Sequence, residues 1–489
     1  MAAAPTLLWF RRDLRLRDNE ALAAGVARGR GIVPVFILDP EEAARRCGKA
    51  SGWWLHGSLA ALAAELAARG SRLVLRRGDN LAELRALIAE TGAGAVYWNR
   101  SFEPAGEAAE ARVRAALGAD GIEVVAGEGR LLFDPAAVRN QSGGPFQVFT
   151  PFWRHCRNRE RAKPLDRPVP RSFAVPGRWP RSDALADWGL RPKPDWAAEF
   201  PESGEPGEAG AQRRLARFIA AAMDAYDAAR DRPAVDGTSR LSTALHFGEL
   251  TPRQVWAAVE EASRESGVMP RSRGAQVFLD EVGWREFAYH LLWHFPSTPE
   301  APLRAEYASF PWRRDEAVQR AWRRGATGYP IVDAGMRQLW RTGWMHNRVR
   351  MIVSSFFVKQ LLQPWRDGAA WFHETLVDAD LANNTLGWQW SAGCGADAAP
   401  YFRIFNPVLQ GGKFDPAGAY VRRWVPELAR VPAEWIHCPW EAPPLDLAGA
   451  GVRLGAEYPH PIVDPKRGRE RALQALAEWR AGRDAGRAP

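Results

Sequence analysis

Over the first 132 residues the spacing of apolar positions alternates between two periods. Short apolar, β-branched runs at 6–10, 32–38, 73–75, 95–98 and 122–125 predict strands. Between them, 19–27, 52–68, 81–89 and 107–117 carry apolar residues at helical spacing. Strand–helix alternation with short connections predicts an α/β domain built on a doubly wound parallel sheet over residues 1–132. No G-x-G-x-x-G follows the first strand, so a dinucleotide pyrophosphate is not expected there in Rossmann fashion.

The pattern then changes twice. Residues 133–207 read as a connector, and its stretch 160–210 carries Pro164, Pro168, Pro170, Pro176, Pro180, Pro192, Pro194 and Pro201. That composition predicts extended chain laid over the surface of the first domain. From 208 to 489 helical periodicity takes over, at 212–230, 275–294, 330–342, 345–361 and 367–376. An all-α domain is expected there, with 466–483 as a basic amphipathic terminal helix. No internal repeat is present.

Composition excludes whole classes. The chain has 489 residues, 46% of them hydrophobic and 25% charged, which fits a folded protein of two or three domains and not a disordered one. No apolar run reaches the ~18 residues of a membrane span. The N-terminus meets charge at Arg11-Arg12-Asp13, too early for a secretory signal, so a cytoplasmic protein is expected. Cys47, Cys156, Cys394 and Cys438 are scattered, without C-x-x-C spacing, so no metal or iron–sulfur site is expected.

Two counts are unusual. The net charge is +9, and 60 of the 66 basic residues are Arg. An Arg-rich basic surface suits a polyanion, although the codon usage of a GC-rich genome yields the same excess. There are also 23 Trp, eleven of them between residues 250 and 390. A cluster of this kind suits a stacking platform for a planar ligand or base, or an electron path.

Two segments concentrate chemistry. Thr238-Ser239-Arg240-Leu241-Ser242 precedes an apolar helical run and reads either as a plain helix cap or as a phosphate site. Residues 376–390 hold Asp378, Asp380, Asn383, Asn384, Trp388 and Trp390. A metal site is one option, but no His accompanies the carboxylates. Hydrogen bonding to a heteroaromatic ring fits better.

Further motifs identify a family. These are Trp9-Phe10-Arg11-Arg12-Asp13, Gly283-Trp284-Arg285-Glu286-Phe287, the segment 327–334, Trp344-Met345-His346-Asn347-Arg348-Val349-Arg350, and Tyr401-Phe402-Arg403-Ile404-Phe405-Asn406-Pro407 within 397–407. Together they resemble the DNA photolyase/cryptochrome flavoproteins, most of all the bacterial class I cyclobutane pyrimidine dimer photolyases. The resemblance runs through nearly the whole chain. It implies an α/β antenna domain and a helical domain (208–489) that holds FAD in a U shape.

By the same resemblance, active FAD is reduced and anionic, and blue light drives one electron from it to a pyrimidine dimer in DNA. The electron returns after the ring splits. Tyr226, Thr238, Ser239, Arg240, Leu241 and Ser242 are expected on the phosphate and ribose side of FAD. Arg285, Asn347, Arg350, Asp378, Ala379, Asp380 and Asn384 are expected around the rest, with Asp378 and Arg350 as a buried ion pair. Asn384 would face flavin N5, where a neutral amide favours repair over cryptochrome-like signalling, the alternative function. Trp388, Trp365 and Trp312 match an electron chain from flavin to surface, whereas Trp322, Trp340 and Trp371 are expected in the core.

For the flipped dimer, Trp284 and Trp390 match aromatic walls and Met351 an adaptable apolar contact. Glu281 and Asn347 match polar contacts to the thymine edges, with Glu281 able to stabilise the dimer anion radical if protonated. Arg230, Arg348 and Gln410 match DNA contacts. Asn347 and Met351 stand where enzymes for (6-4) lesions carry a histidine pair, which points to cyclobutane dimers. Residues 102–107 and 296–300 lack the side chains expected for a folate antenna, leaving a deazaflavin, a second flavin or an empty cleft. Gly412 replaces a usual acid beside Gln410. A monomer is expected.

Overall fold

The structure is a computed structural model that describes residues 4–42, 48–165, 168–193, 195–265, 272–398, 400–401 and 403–485. Cys47, Pro194, Ala399 and Phe402 lie outside the described residues. Five strands, β1 (Thr6–Phe10), β2 (Ile32–Leu38), β3 (Val74–Arg77), β4 (Ala95–Asn99) and β5 (Glu123–Gly127), form one parallel sheet in the order β3-β2-β1-β4-β5. β1 and β2 are buried at every position. Leu7, Trp9, Val33 and Val35 pack to one face, and Leu8, Phe10, Phe36 and Leu38 to the other. Two covered faces explain why these runs are continuously apolar. The second face also takes Phe247, Trp344 and Val377 from the helical part, so the two parts share a core.

Two strands differ from the periodicity. β3 extends to Arg77 because β2 pairs Leu38 with Arg77, and Arg76 is held by an ion pair with Glu90 at 2.5 Å. β5 likewise runs on to Gly127, opposite Asn99 of β4. In β3 cross-strand pairing outweighs the polar local sequence, and in β5 it carries the strand through Ala126 and Gly127.

The chain between 172 and 183 lies along the sheet. Ile32 N–H donates to Ala174 O at 2.9 Å, and Asp183 N–H to Leu75 O at 2.8 Å. Gly31 permits this approach, since a Cβ there would stand 2.8 Å from Val175 O. Within 133–207 the helix Phe149–Arg157 buries Phe152 and Trp153, and Trp153 Nε1 donates to Asp280 at 2.8 Å. That docks it on the long helix Arg273–His294.

Two expected helices are broken. The run 212–230 forms Glu208–Ala221 and a short turn Tyr226–Ala229. The chain bends at 222–225 against Gly274, where any Cβ would collide with Met223 O and Asp224 O. The run 345–361 starts at Asn347, because His346 Nδ1 accepts the Arg348 N–H as a cap, and it ends in a π-helical turn, Phe356–Gln360. Among the described residues, no helix is long and apolar enough to cross a membrane.

Candidate functional site

Four helices converge below the sheet: Arg273–His294, Asn347–Ser355, Trp365–Thr375 and Leu381–Ala392. Arg350 Nη2 reaches both Asp378 oxygens at 2.9 and 3.1 Å, while its Nε donates to Met345 O at 2.8 Å. The Asp378 side chain is 1% exposed. A carboxylate so desolvated is tolerated because a guanidinium partners it. Ala379 is buried beside it. Asp380 caps Leu381–Ala392 by accepting the Asn383 N–H at 2.9 Å. One turn on, Asn384 Nδ2 donates to Ala369 O at 3.0 Å. The amide oxygen and the second N–H of Asn384 are left to present elsewhere.

Arg240, Arg348 and Arg350 gather around the His346 ring. Burial, offset only by Asp231 and reinforced by those three guanidinium groups, pushes its pKa down to about 4. The ring is therefore neutral near pH 7. Its Nδ1 accepts the Arg348 N–H, which leaves the proton on Nε2. Nε2 is buried with no protein partner. An orphaned donor among three cations fits an anionic group such as a dinucleotide's diphosphate. Arg240 also sits at φ 50°, a strained left-handed conformation, with its guanidinium over Trp344 at 4.7 Å. Thr238 and Ser239 beside it are half-buried, Leu241 is buried and Ser242 exposed. Sequence reading did not single out His346, although it lies inside a quoted motif.

On the next face, Arg230 pairs with Glu281 at 2.5 Å and Arg348 forks onto Asp231 at 2.7 and 3.2 Å. Both DNA-facing candidates are thus held by acids in the free protein. Tyr226 packs beneath Arg230, and burial raises its phenol pKa. Trp284 lies flat on Phe149, with centroids 3.8 Å apart and planes at 10°. Trp390 meets Phe405 edge-on. Asn347 is exposed, and Met351 and Gln410 are half-buried. Phe149 escaped the sequence reading, because only the fold sets it against Trp284.

Arg285 is used within the protein, donating to Arg130 O at 3.4 Å and Leu245 O at 3.5 Å. Trp388 is 2% exposed, Trp365 is 4% exposed, and Trp312 is half-buried at the edge of the same core. Their burial falls outward in that order. They do not stack on one another: Trp388 meets Phe372, Phe357 and Trp322, and Trp312 meets Phe310. Trp322 is fully buried. Trp371 is partly buried against the core, whereas the core assignment of Trp340 is corrected. Trp340 is 45% exposed and stacks between Trp196 and Trp371 at 4.6 and 5.9 Å. Trp196 comes from the connector, 144 positions away, and no local pattern announces that pairing.

Comparison with known proteins places the chain in a family. Residues 6–171 match the family described as DNA photolyase, and residues 278–478 match the FAD binding domain of DNA photolyase. The chain is 50% identical to a deoxyribodipyrimidine photo-lyase of Agrobacterium fabrum, over 98% of both chains. It is 39% identical to cryptochrome-1 of Arabidopsis thaliana, covering 97% of this chain and 70% of that one. A crystal structure of a bacterial class III photolyase from Agrobacterium tumefaciens superposes with a TM-score of 0.94 at 49% identity, covering 98% of each chain. That relative is named a class III photolyase, whereas the motifs are likened to class I.

Proposed function

The chain belongs to the DNA photolyase/cryptochrome family, and from that membership we propose that it is a class III photolyase acting on cyclobutane pyrimidine dimers. It repairs DNA by a light-driven lyase reaction. The observation that carries this reading is its full-length similarity, at half identity, to a repair enzyme. FAD, when bound in its reduced form, supplies the light-excited electron that splits the dimer. The α/β domain 1–132 serves as antenna and 208–489 as the catalytic domain, joined by 133–207.

The chain's own residues do the positioning. Arg350 and Asp378 set a fixed charge pair beside the flavin ring. Asn384, anchored through Ala369 O, would face a bound flavin with a neutral amide and no acidic proton. Thr238, Ser239, Arg240, Leu241, Ser242 and His346 hold the diphosphate. Trp388, Trp365 and Trp312 pass electrons inward from solvent. Trp284 and Trp390 wall the dimer, and Met351 fills between them. Arg230 and Arg348 exchange their carboxylate partners for phosphates, which releases Glu281 to the thymine edges beside Asn347. Gln410 contacts the DNA backbone nearby.

No step is assigned to a second chromophore. The cavity beside the ends of β1 and β2, lined in part by Trp9, Phe36 and Phe247, holds about 70 Å³. Ligand pockets usually offer ~300–1,000 Å³. The experiment is direct: reduced protein, illuminated on dimer-containing DNA, restores the parent pyrimidines. Reduced, FAD-loaded protein that leaves the dimers intact would overturn repair in favour of photoreception.

A further inference from the structure

A closed ring of six side chains lies buried where the sheet meets the helical part. Tyr289 Oη donates to Asp380 Oδ2 at 2.6 Å and accepts from Arg130 Nη2 at 2.9 Å. Arg130 Nη2 lies 3.7 Å from Glu103 Oε1, which is 3.4 Å from Arg12 Nη1. Arg12 Nη1 reaches His246 Nδ1 at 3.3 Å, and that nitrogen faces Asp380 Oδ2 at 3.5 Å. Two guanidinium groups and two carboxylates alternate around the ring, with a phenol and an imidazole between them. Arg130, Tyr289, His246, Glu103 and Asp380 are all at most 6% exposed.

Asp380 accepts from three donors, one of them in the ring. Its Oδ1 takes the Asn383 N–H and, at 2.7 Å, the Asn383 Nδ2. Its Oδ2 takes the Tyr289 hydroxyl, and His246 Nδ1 stands 3.5 Å away. A carboxylate has about four acceptor positions, and firm protein donors take three of them. Most of what the Asp380 carboxylate accepts therefore comes from the protein itself. Its work is to fix the start of Leu381–Ala392, the helix that carries Asn384 and Trp388. The strongest bond to it within the ring is the short one from Tyr289, a hydroxyl donating to an ionised acceptor.

We infer that Tyr289, backed by Arg130, is a positioning residue of the cofactor site, acting through Asp380 to seat the helix that bears Asn384 and Trp388. This rests on the reading that the helix faces FAD. Arg12 and Glu103 come from the α/β domain, so the ring also ties that domain to the cofactor site. Burial opposes charge on Asp380, but His246, Arg285 and Tyr289 outweigh it and hold its pKa well below the ordinary carboxylate value. The anion that Tyr289 steadies is thus present throughout the working pH range.

The test measures two properties of the purified holoprotein: the FAD dissociation constant and the midpoint potential of the bound flavin. Tyr289→Phe keeps the ring and removes the hydroxyl. It should raise the FAD dissociation constant about tenfold and shift the potential. Asp380→Asn should move both readouts in the same direction. The double variant should go no further than the larger single effect, because both substitutions cut one linkage. Unchanged values in Tyr289→Phe beside altered ones in Asp380→Asn would overturn the inference alone, as would additive effects. Unchanged values in Asp380→Asn would overturn the cofactor-site reading first and the inference with it. If Tyr289→Phe yields no folded holoprotein, Arg130→Lys carries the test, with a shift of about threefold in the same direction expected. No shift there would overturn the inference equally.

Discussion

Phe149→Leu tests whether the plane of Trp284 is set by the protein before a lesion arrives. Phe149 covers one face of the Trp284 indole at 3.8 Å, and is itself stacked on Trp153 at 6.2 Å and edge-on to Phe287. Leu keeps an apolar side chain there but removes the flat surface. An aromatic pair is worth about 0.5–1.5 kcal/mol beyond its buried area. If that energy holds the indole in its binding orientation, losing it raises the dissociation constant for dimer-containing DNA about two- to tenfold. Trp284→Ala sets the ceiling, since a lost base–aromatic stack costs about 1–3 kcal/mol. Phe149→Leu must therefore cost less than Trp284→Ala, and the double variant must cost little more than Trp284→Ala alone. The assay is equilibrium binding of a labelled dimer-containing oligonucleotide in the dark, with flavin absorbance recorded as a check on the cofactor site. An unchanged affinity in Phe149→Leu, or two penalties that simply add, would refute the reasoning.

Glu249 and Gly368 supply two more predictions. Burial raises the Glu249 carboxyl to about 7 from 4.5, despite donors from Ser58, Gly207 and Trp54. The folded chain holds that proton more tightly than the unfolded one, so the stability it contributes is complete below pH 4.5 and is lost as pH rises through about 7. Glu249→Gln should flatten this dependence, narrowing the pH 5 to pH 8 difference in unfolding free energy by up to about 3 kcal/mol; identical pH profiles would contradict it. At Gly368 a Cβ would stand 2.1 Å from Trp388 Cη2. Gly368→Ala should unseat that indole, slowing photoreduction of oxidised flavin and costing about 1–3 kcal/mol in stability. Wild-type photoreduction in a folded variant would show that the seat of Trp388 does not matter.

Much of the site was legible because its residues sit in runs. The motif 343–351 places Asn347, Arg348 and Arg350 on one helix, and 376–390 places Asp378, Asn384 and Trp388 on another. The same runs were silent about partners. Arg230 and Arg348 match DNA contacts by motif, yet in the fold Glu281 and Asp231 hold them. Trp340 looked like core, yet it is exposed in a stack whose other end comes from the connector. His346 looked like motif filler, yet its orphaned Nε2 marks the anion side of the site.

The sequence by itself determined the parallel sheet, the helical character of the second half and the segments where chemistry gathers. Those properties follow from period, capping and short motifs, which act between residues a few positions apart. Tertiary structure decided the ends of β3 and β5, the bend at 222–225 and the closed ring around Asp380. Tyr289 and Asp380 are 91 positions apart, and Arg12 and His246 are 234 apart. Interactions over such separations depend on which surfaces the folded chain brings together, because a buried polar group takes whichever partner packing leaves within reach, and the spacing of residues along the chain carries no record of that choice.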